Sequence, residues 1–262
     1  MNNFVSDTRP VVRLKQVQFS EKDVDEVVCH AGGKRISEMV FPIPEGVENC
    51  DYLIGDHLVE LKIIELEPLE IQERQEKLAH LFAELVREGK TNVTPSGQIH
   101  LHGEASLRYW RIVGTPVRRR LEKVASQIKD TKILLNRPNL RGAAFLINRG
   151  ADSIDSTSFW HLASRHRRDF SSEINVVMCF SEIPGVVEKA NRPCVTFDHA
   201  PSGDEGDEAD EAFVELFKTS FHSMFANKLG KTPDEIISND AIIQPLRAPF
   251  EINTPKGKIA IN

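Results

Sequence analysis

Asp51, Glu60 and Lys62 are three charged residues that a tight turn can gather, within the stretch Asn49-Cys50-Asp51-Tyr52-Leu53-Ile54-Gly55-Asp56-His57-Leu58-Val59-Glu60-Leu61-Lys62. Gly55-Asp56 reads as a two-residue hairpin loop, with glycine first to supply the positive φ of a type II′ turn. That turn fixes the register. Ile54 opposes His57, Leu53 opposes Leu58, Tyr52 opposes Val59, and Asp51 falls opposite Glu60 with their Cβ atoms roughly 5 Å apart. Like charges facing each other destabilise a hairpin unless a cation sits between them, and carboxylate oxygens are the ligands Mg²⁺ accepts alongside several waters. Lys62 lies two residues beyond Glu60, so the period of two puts its ammonium on the same face.

A second Glu-x-Lys serves as an internal control. Glu88-Gly89-Lys90 closes a helical segment with a glycine, lacks β-branched neighbours and has no aspartate across a turn. Glu60-Leu61-Lys62 sits instead in Leu58-Val59-Glu60-Leu61-Lys62-Ile63-Ile64, where Val59, Leu61 and Ile63 form an apolar face for a core.

The surrounding pattern alternates helices and strands. Ser20 to Ala31 reads as a first helix with Ser20 as N-cap, Val24, Val27, Val28 and Ala31 as its stripe, and Gly32-Gly33 as its stop. After the hairpin at 48 to 65, Leu69 to Arg87 has helical spacing, and Gln98 to Gly103 reads as a short third strand. Thr115-Pro116 opens a helix to about Leu135. The continuous apolar runs at 143 to 148 and 174 to 180 read as buried strands separated by a helix from Ser156 to Phe170. Farther on lie a strand at Cys194 to Phe197, a helix from Glu211 to Leu229 and a tail rich in Pro, Asn and Lys, an arm or dimer contact.

Aspartate, short turn, then Glu-x-Lys on the second strand resembles the PD-(D/E)XK superfamily of metal-dependent nucleases. Asp51, Glu60 and Lys62 stand at the motif positions, and Cys50 stands where a proline often precedes the aspartate. The order helix, strand, strand, strand, helix, strand resembles the superfamily's common core, with residues 66 to 90 as a helical insertion. The resemblance implies an α/β fold with a restriction-endonuclease-like core, αβββαβ, a mixed sheet flanked by helices. That core would span residues 1–180, with 181–262 as a C-terminal extension packed on it.

It also implies phosphodiester hydrolysis assisted by Mg²⁺, with Mn²⁺ as a substitute. Asp51, Glu60 and the backbone carbonyl of Leu61 would be the ligands, and Lys62 would orient or help deprotonate the attacking water and neutralise the transition state. Some members add an acid from the first helix, for which Glu26 is the candidate. Candidate nucleic-acid contacts are Arg118, Arg119, Arg120, Lys123 and Gln127 on the helix facing the sheet, and Arg165, Arg167 and Arg168 near the end of another. Arginines late in a helix also complement its dipole, which is the alternative for the second group. His100-Leu101-His102 places two imidazoles on one side of a strand, but no third zinc ligand accompanies them, so they read as surface or substrate-lining residues.

Composition bounds these readings. The chain has 262 residues, 40% of them hydrophobic, enough for a sizeable core. No run approaches the roughly eighteen apolar residues a membrane crossing needs, and the opening Met1-Asn2-Asn3-Phe4 lacks a signal-peptide layout, so a cytoplasmic location is expected. The four cysteines are widely spaced, and neither a zinc knuckle nor a disulfide framework is indicated. The net charge of −6 argues against holding duplex DNA by bulk electrostatics. Part of that charge lies in the acidic run 201–211, read as a solvated loop or linker. P-loop, Gly-x-Ser-x-Gly and Gly-x-Gly-x-x-Gly motifs are lacking, which leaves ATPase, serine hydrolase and dinucleotide enzyme without a foothold.

The expected function is a metal-dependent deoxyribonuclease acting on internal phosphodiester bonds. By analogy it would be the effector of a prokaryotic antiviral defence or mobile-element system, working with a partner protein that supplies target choice or activation, and a homo-oligomer stays open. The alternative is a catalytically inactive nuclease-fold scaffold in a multi-protein complex, for which the negative charge argues.

Overall fold

Alternating side chains in the hairpin decide which faces the sheet presents. The computed structural model describes residues 19–39, 45–46, 48–90, 101, 103–151, 153–154, 156–181, 185–186, 196–200, 207–230, 244–245, 250–254 and 257–261. Strands β2 (Tyr52–Ile54) and β3 (His57–Ile64), which follow the short β1 (Lys34–Arg35), pair antiparallel in the expected register, Tyr52 with Val59, Leu53 with Leu58 and Ile54 with His57. Gly55 turns the chain at φ +57°, and Asp56 is not among the positive-φ residues, which makes the bend II′ rather than I′.

The protein is an α/β fold around a mixed, open sheet of six strands in the order β1-β2-β3-β4-β5-β7. β3 runs parallel to β4 (Arg141–Asn148), and β4 runs parallel to β5 (Val176–Ser181). β7 (Thr196–Ala200) closes that edge antiparallel to β5. The crossovers are α5 (Thr115–Leu134) and α6 (Ser156–Arg167). β4 reads as one apolar run because both its faces are covered. Ala144 and Leu146 join the core under α5 and α6, while Ala143, Phe145 and Ile147 join the core on the opposite face.

That opposite face is covered by α1 (Glu21–His30) and α7 (Glu208–Leu229). Ser20 and Asp23 form a capping box at the start of α1, Ser20 Oγ accepting the Asp23 N–H at 3.3 Å and the Asp23 carboxylate accepting the Ser20 N–H at 2.6 Å. On α7, Phe217 meets Phe145 edge-on at 5.1 Å and Phe221 meets Phe180 at 4.9 Å. β7 therefore completes the sheet and α7 its core, so these parts of the expected extension pack on the preceding strands.

The acidic run is also more ordered at its end than a solvated loop. Asp207 caps α7 through the Ala209 N–H, and Arg141 donates to Asp207 Oδ2 at 2.6 Å and to Asp210 Oδ1 at 2.6 Å. The His57 imidazole lies 2.9 Å from Asp210 through Nε2 and stacks on Phe213 with ring centres 4.1 Å apart. Burial holds His57 below its ordinary value against the opposing pull of Asp210, so at neutral pH it is a neutral donor.

Between β3 and α5 come α3 (Gln72–Arg87) and α4 (Gly103–Val113). The strand expected at Gln98 to Gly103 lies mostly outside the described residues, and Gly103 opens α4 instead. The reason is helical spacing: Ala105, Tyr109, Ile112 and Val113 all face the core. The third antiparallel member of the sheet is β1, paired with β2 and followed by α2 (Ile36–Met39). Beyond the sheet, β6 (Gly185–Val186) pairs with β8 (Gln244–Pro245), and β9 (Phe250–Thr254) with β10 (Gly257–Ile261) make a hairpin in the tail. Among the described residues no helix is long and apolar enough to cross a membrane. Cys29 is exposed, whereas Cys50 and Cys179 are buried.

Candidate metal centre

Strand pairing alone brings the carboxylates together. Asp51 enters β2 just as Glu60 follows Val59 in β3, and each carboxylate is fixed by the other's strand. The Asp51 N–H donates to Glu60 Oε2 at 3.0 Å, and the Leu61 N–H donates to Asp51 Oδ2 at 2.9 Å. Lys62 Nζ donates to Glu60 Oε1, as two side chains one period apart on the same face must be able to do. The hairpin thus brings Asp51, Glu60 and Lys62 together, with Leu61 meeting Asp51 through its N–H.

Glu60 is 1% exposed, and the Lys62 side chain is 15% exposed. Burial pushes the Glu60 carboxyl up to about 7, the Asp51 charge adds to the rise, and Lys62 opposes it. Asp51 is also raised, chiefly by burial, and is drawn back by the Leu61 N–H, by Lys62 and by a hydrogen bond with Glu60. Facing carboxyls with little access to water oppose each other's ionisation, and Lys62 offsets this only in part, so Glu60 keeps a proton to a higher pH than an ordinary carboxyl. A divalent cation can take that proton's place. Among the described residues no three His, Cys, Asp or Glu side chains are grouped to hold a metal. A cation at Asp51 and Glu60 would complete its shell with main-chain oxygen and water, which suits Mg²⁺ better than Zn²⁺.

Cys50, in the place where the motif often has proline, is fully buried, and burial pushes its thiol well above the ordinary value. It is a neutral core residue. His100 and His102 lie outside the described residues.

The first helix offers a different acid from the one expected. Glu26 is exposed and its neighbour is His30 at 4.0 Å, away from the pair. Glu21 is the α1 carboxylate whose charge reaches Asp51. Asp25, one turn on, accepts from the Tyr52 hydroxyl at 2.9 Å and from Arg35 at 2.7 Å, and the Arg35 hydrogen bonds hold it below the usual carboxylate range. The i, i+4 spacing of Glu21 and Asp25 was the available signal: both share the face turned to Arg35.

Of the candidate nucleic-acid contacts, Arg118, Arg119, Arg120, Lys123, Arg165 and Arg168 are exposed. Arg118 has Asp169 at 3.8 Å and Lys123 has Glu48 at 3.0 Å. Arg167 is a correction. It is 6% exposed, and its guanidinium turns inward to the Ile174 and Asn175 carbonyls at 3.4 Å each, tying the end of α6 to the entry of β5. Gln127 is buried as well, its Nε2 donating to the Asn49 carbonyl at 3.1 Å. Arg74 on α3 is half-buried, and burial first and the Arg119 charge second lower its pKa. Nothing in the sequence indicates that Arg74 and Arg119 come near each other.

The chain matches no family model, no curated protein and no solved structure.

Proposed function

We propose that this protein is a metal-dependent deoxyribonuclease with a restriction-endonuclease-like core. The observation that carries the reading is the meeting of Asp51 with the buried Glu60 beside Lys62, with Glu60 raised to about 7. Groups kept in so unfavourable an ionisation state favour a role beyond packing. Asp51, Glu60 and the Leu61 carbonyl would hold Mg²⁺, which when bound supplies Lewis acidity to the phosphodiester and the attacking water. Glu60 holds Lys62 in place by the ion pair, and the ammonium is then available to donate to a phosphate oxygen as negative charge builds. The exposed Arg119 and Arg120 on α5 offer sequence-independent phosphate contacts. Target choice would come from a partner protein.

The competing reading is a nuclease-fold scaffold without catalysis, and the net charge of −6 favours it. Supercoiled plasmid separates the two. The nuclease reading expects Mg²⁺-dependent nicking that Glu60→Ala and Lys62→Ala abolish. Equal inertness of wild type and variants with Mg²⁺ or Mn²⁺ on DNA and RNA, with candidate partners added, would move the assignment to the scaffold.

A further inference from the structure

Three side chains on one stripe of α5 meet three successive residues that lead into Asp51. Lys123, Gln127 and Thr131 recur at four-residue spacing, so they stand one above another on the helix. Lys123 Nζ lies 3.0 Å from the Glu48 carboxylate. Gln127 Nε2 donates to the Asn49 carbonyl at 3.1 Å. Thr131 Oγ1 accepts the Cys50 N–H at 2.7 Å and donates to the Gln127 carbonyl at 2.7 Å. The helix therefore runs parallel to residues 48–50 and contacts each of them in turn.

The lower two contacts are the strong ones. Thr131 is fully buried and Gln127 is 7% exposed, whereas Lys123 and Glu48 are about half exposed and contribute little. Asp51 is the next residue in the chain, and its carboxylate must meet the Leu61 N–H and the Glu60 carboxyl from the start of β2, a strand of only three residues. So short a strand cannot by itself fix its first flanking residue. Gln127 Oε1 is buried without a hydrogen-bond partner, which is a cost a packing role alone does not require.

We propose that Thr131 and Gln127 are positioning residues: they clamp the main chain at Asn49 and Cys50 so that the Asp51 carboxylate is held beside Glu60. The inference rests on the metal-centre reading for its catalytic consequence, but its structural half can be read without any activity. It places the control of Asp51 in α5, the same helix whose exposed arginines offer phosphate contacts.

The test uses the full-length protein as wild type, Thr131→Val, Thr131→Ser and Gln127→Leu. Amide exchange at Leu61, whose N–H reports the position of the Asp51 carboxylate, is expected to speed about tenfold or more in Thr131→Val and Gln127→Leu and to stay slow in Thr131→Ser. The Mg²⁺ concentration for half-maximal plasmid cleavage is expected to rise about tenfold or more in the same two variants, with KM for DNA unchanged and serine restoring the wild-type value. Should Thr131→Val fail to fold, Gln127→Leu decides. Leu61 protection equal to wild type in folded variants would overturn the clamp. An inert wild type whose Leu61 amide still responds would leave the clamp standing and remove the nuclease reading. An active wild type with an unresponsive Leu61 would do the reverse.

Discussion

Replacing Glu60 with glutamine should make the metal-free protein more stable as the pH rises, because glutamine imitates the protonated state the pocket prefers. The folded-state value is raised from 4.5 to about 7, so between these limits the native protein keeps a proton that the unfolded chain has lost. Wild-type stability from this group is complete below about 4.5 and declines as pH climbs through about 7. At about 1.4 kcal/mol per pH unit, the decline is about 3 kcal/mol. The assay is urea unfolding in EDTA from about pH 5 to pH 8, plotting the difference between Glu60→Gln and wild type. Taking the difference cancels groups such as His57, whose lowered value makes its contribution run the opposite way. The gap should open in favour of the variant by about 3 kcal/mol. Mg²⁺ at a hundred times its Kd should return about 2.7 kcal/mol to the wild type near pH 8 and nothing to the variant. A gap that stays flat across this range would refute the burial argument and with it the raised Glu60 value.

Other perturbations probe the parts that support the site. Asp210→Ala leaves the His57 and Arg141 side chains without their buried acceptor and should cost about 3–5 kcal/mol by urea unfolding, a loss under about 1 kcal/mol counting against the anchor. Gly55→Ala forces a side chain onto φ +57° and should cost about 1–2 kcal/mol, measured as a lower thermal midpoint; no change would mean the turn relaxes freely. Arg119→Ala and Arg120→Ala should each flatten the slope of log K against log salt for DNA by about 0.9, whereas Arg167→Ala should lower stability and leave that slope alone.

What could be read from the sequence was local. Gly55 with alternating neighbours specified the turn, the register and therefore the meeting of Asp51 with Glu60. The apolar runs of β4 and β5 announced buried parallel strands because covering both faces leaves no polar alternation. Contacts between distant segments left no such trace. Thr131 and Cys50 are 81 residues apart, and a threonine inside a helix looks the same whether it grips a strand or faces water. Asp210 stood in an acidic run whose composition signals solvation, yet Arg141 and His57, supplied by β4 and β3, draw it fully inside. The rotation of α1 that turns Glu21 and Asp25 toward Arg35 left no trace either, since only Arg35 and Tyr52 make it visible.

The most direct measurement is anomalous diffraction from crystals soaked in Mn²⁺ above about pH 7.5, where Glu60 is largely ionised. The account predicts a peak bridging the Asp51 and Glu60 carboxylates that disappears in Glu60→Gln. Fully occupied Mn²⁺ elsewhere on the molecule, with that position left dark, would contradict it.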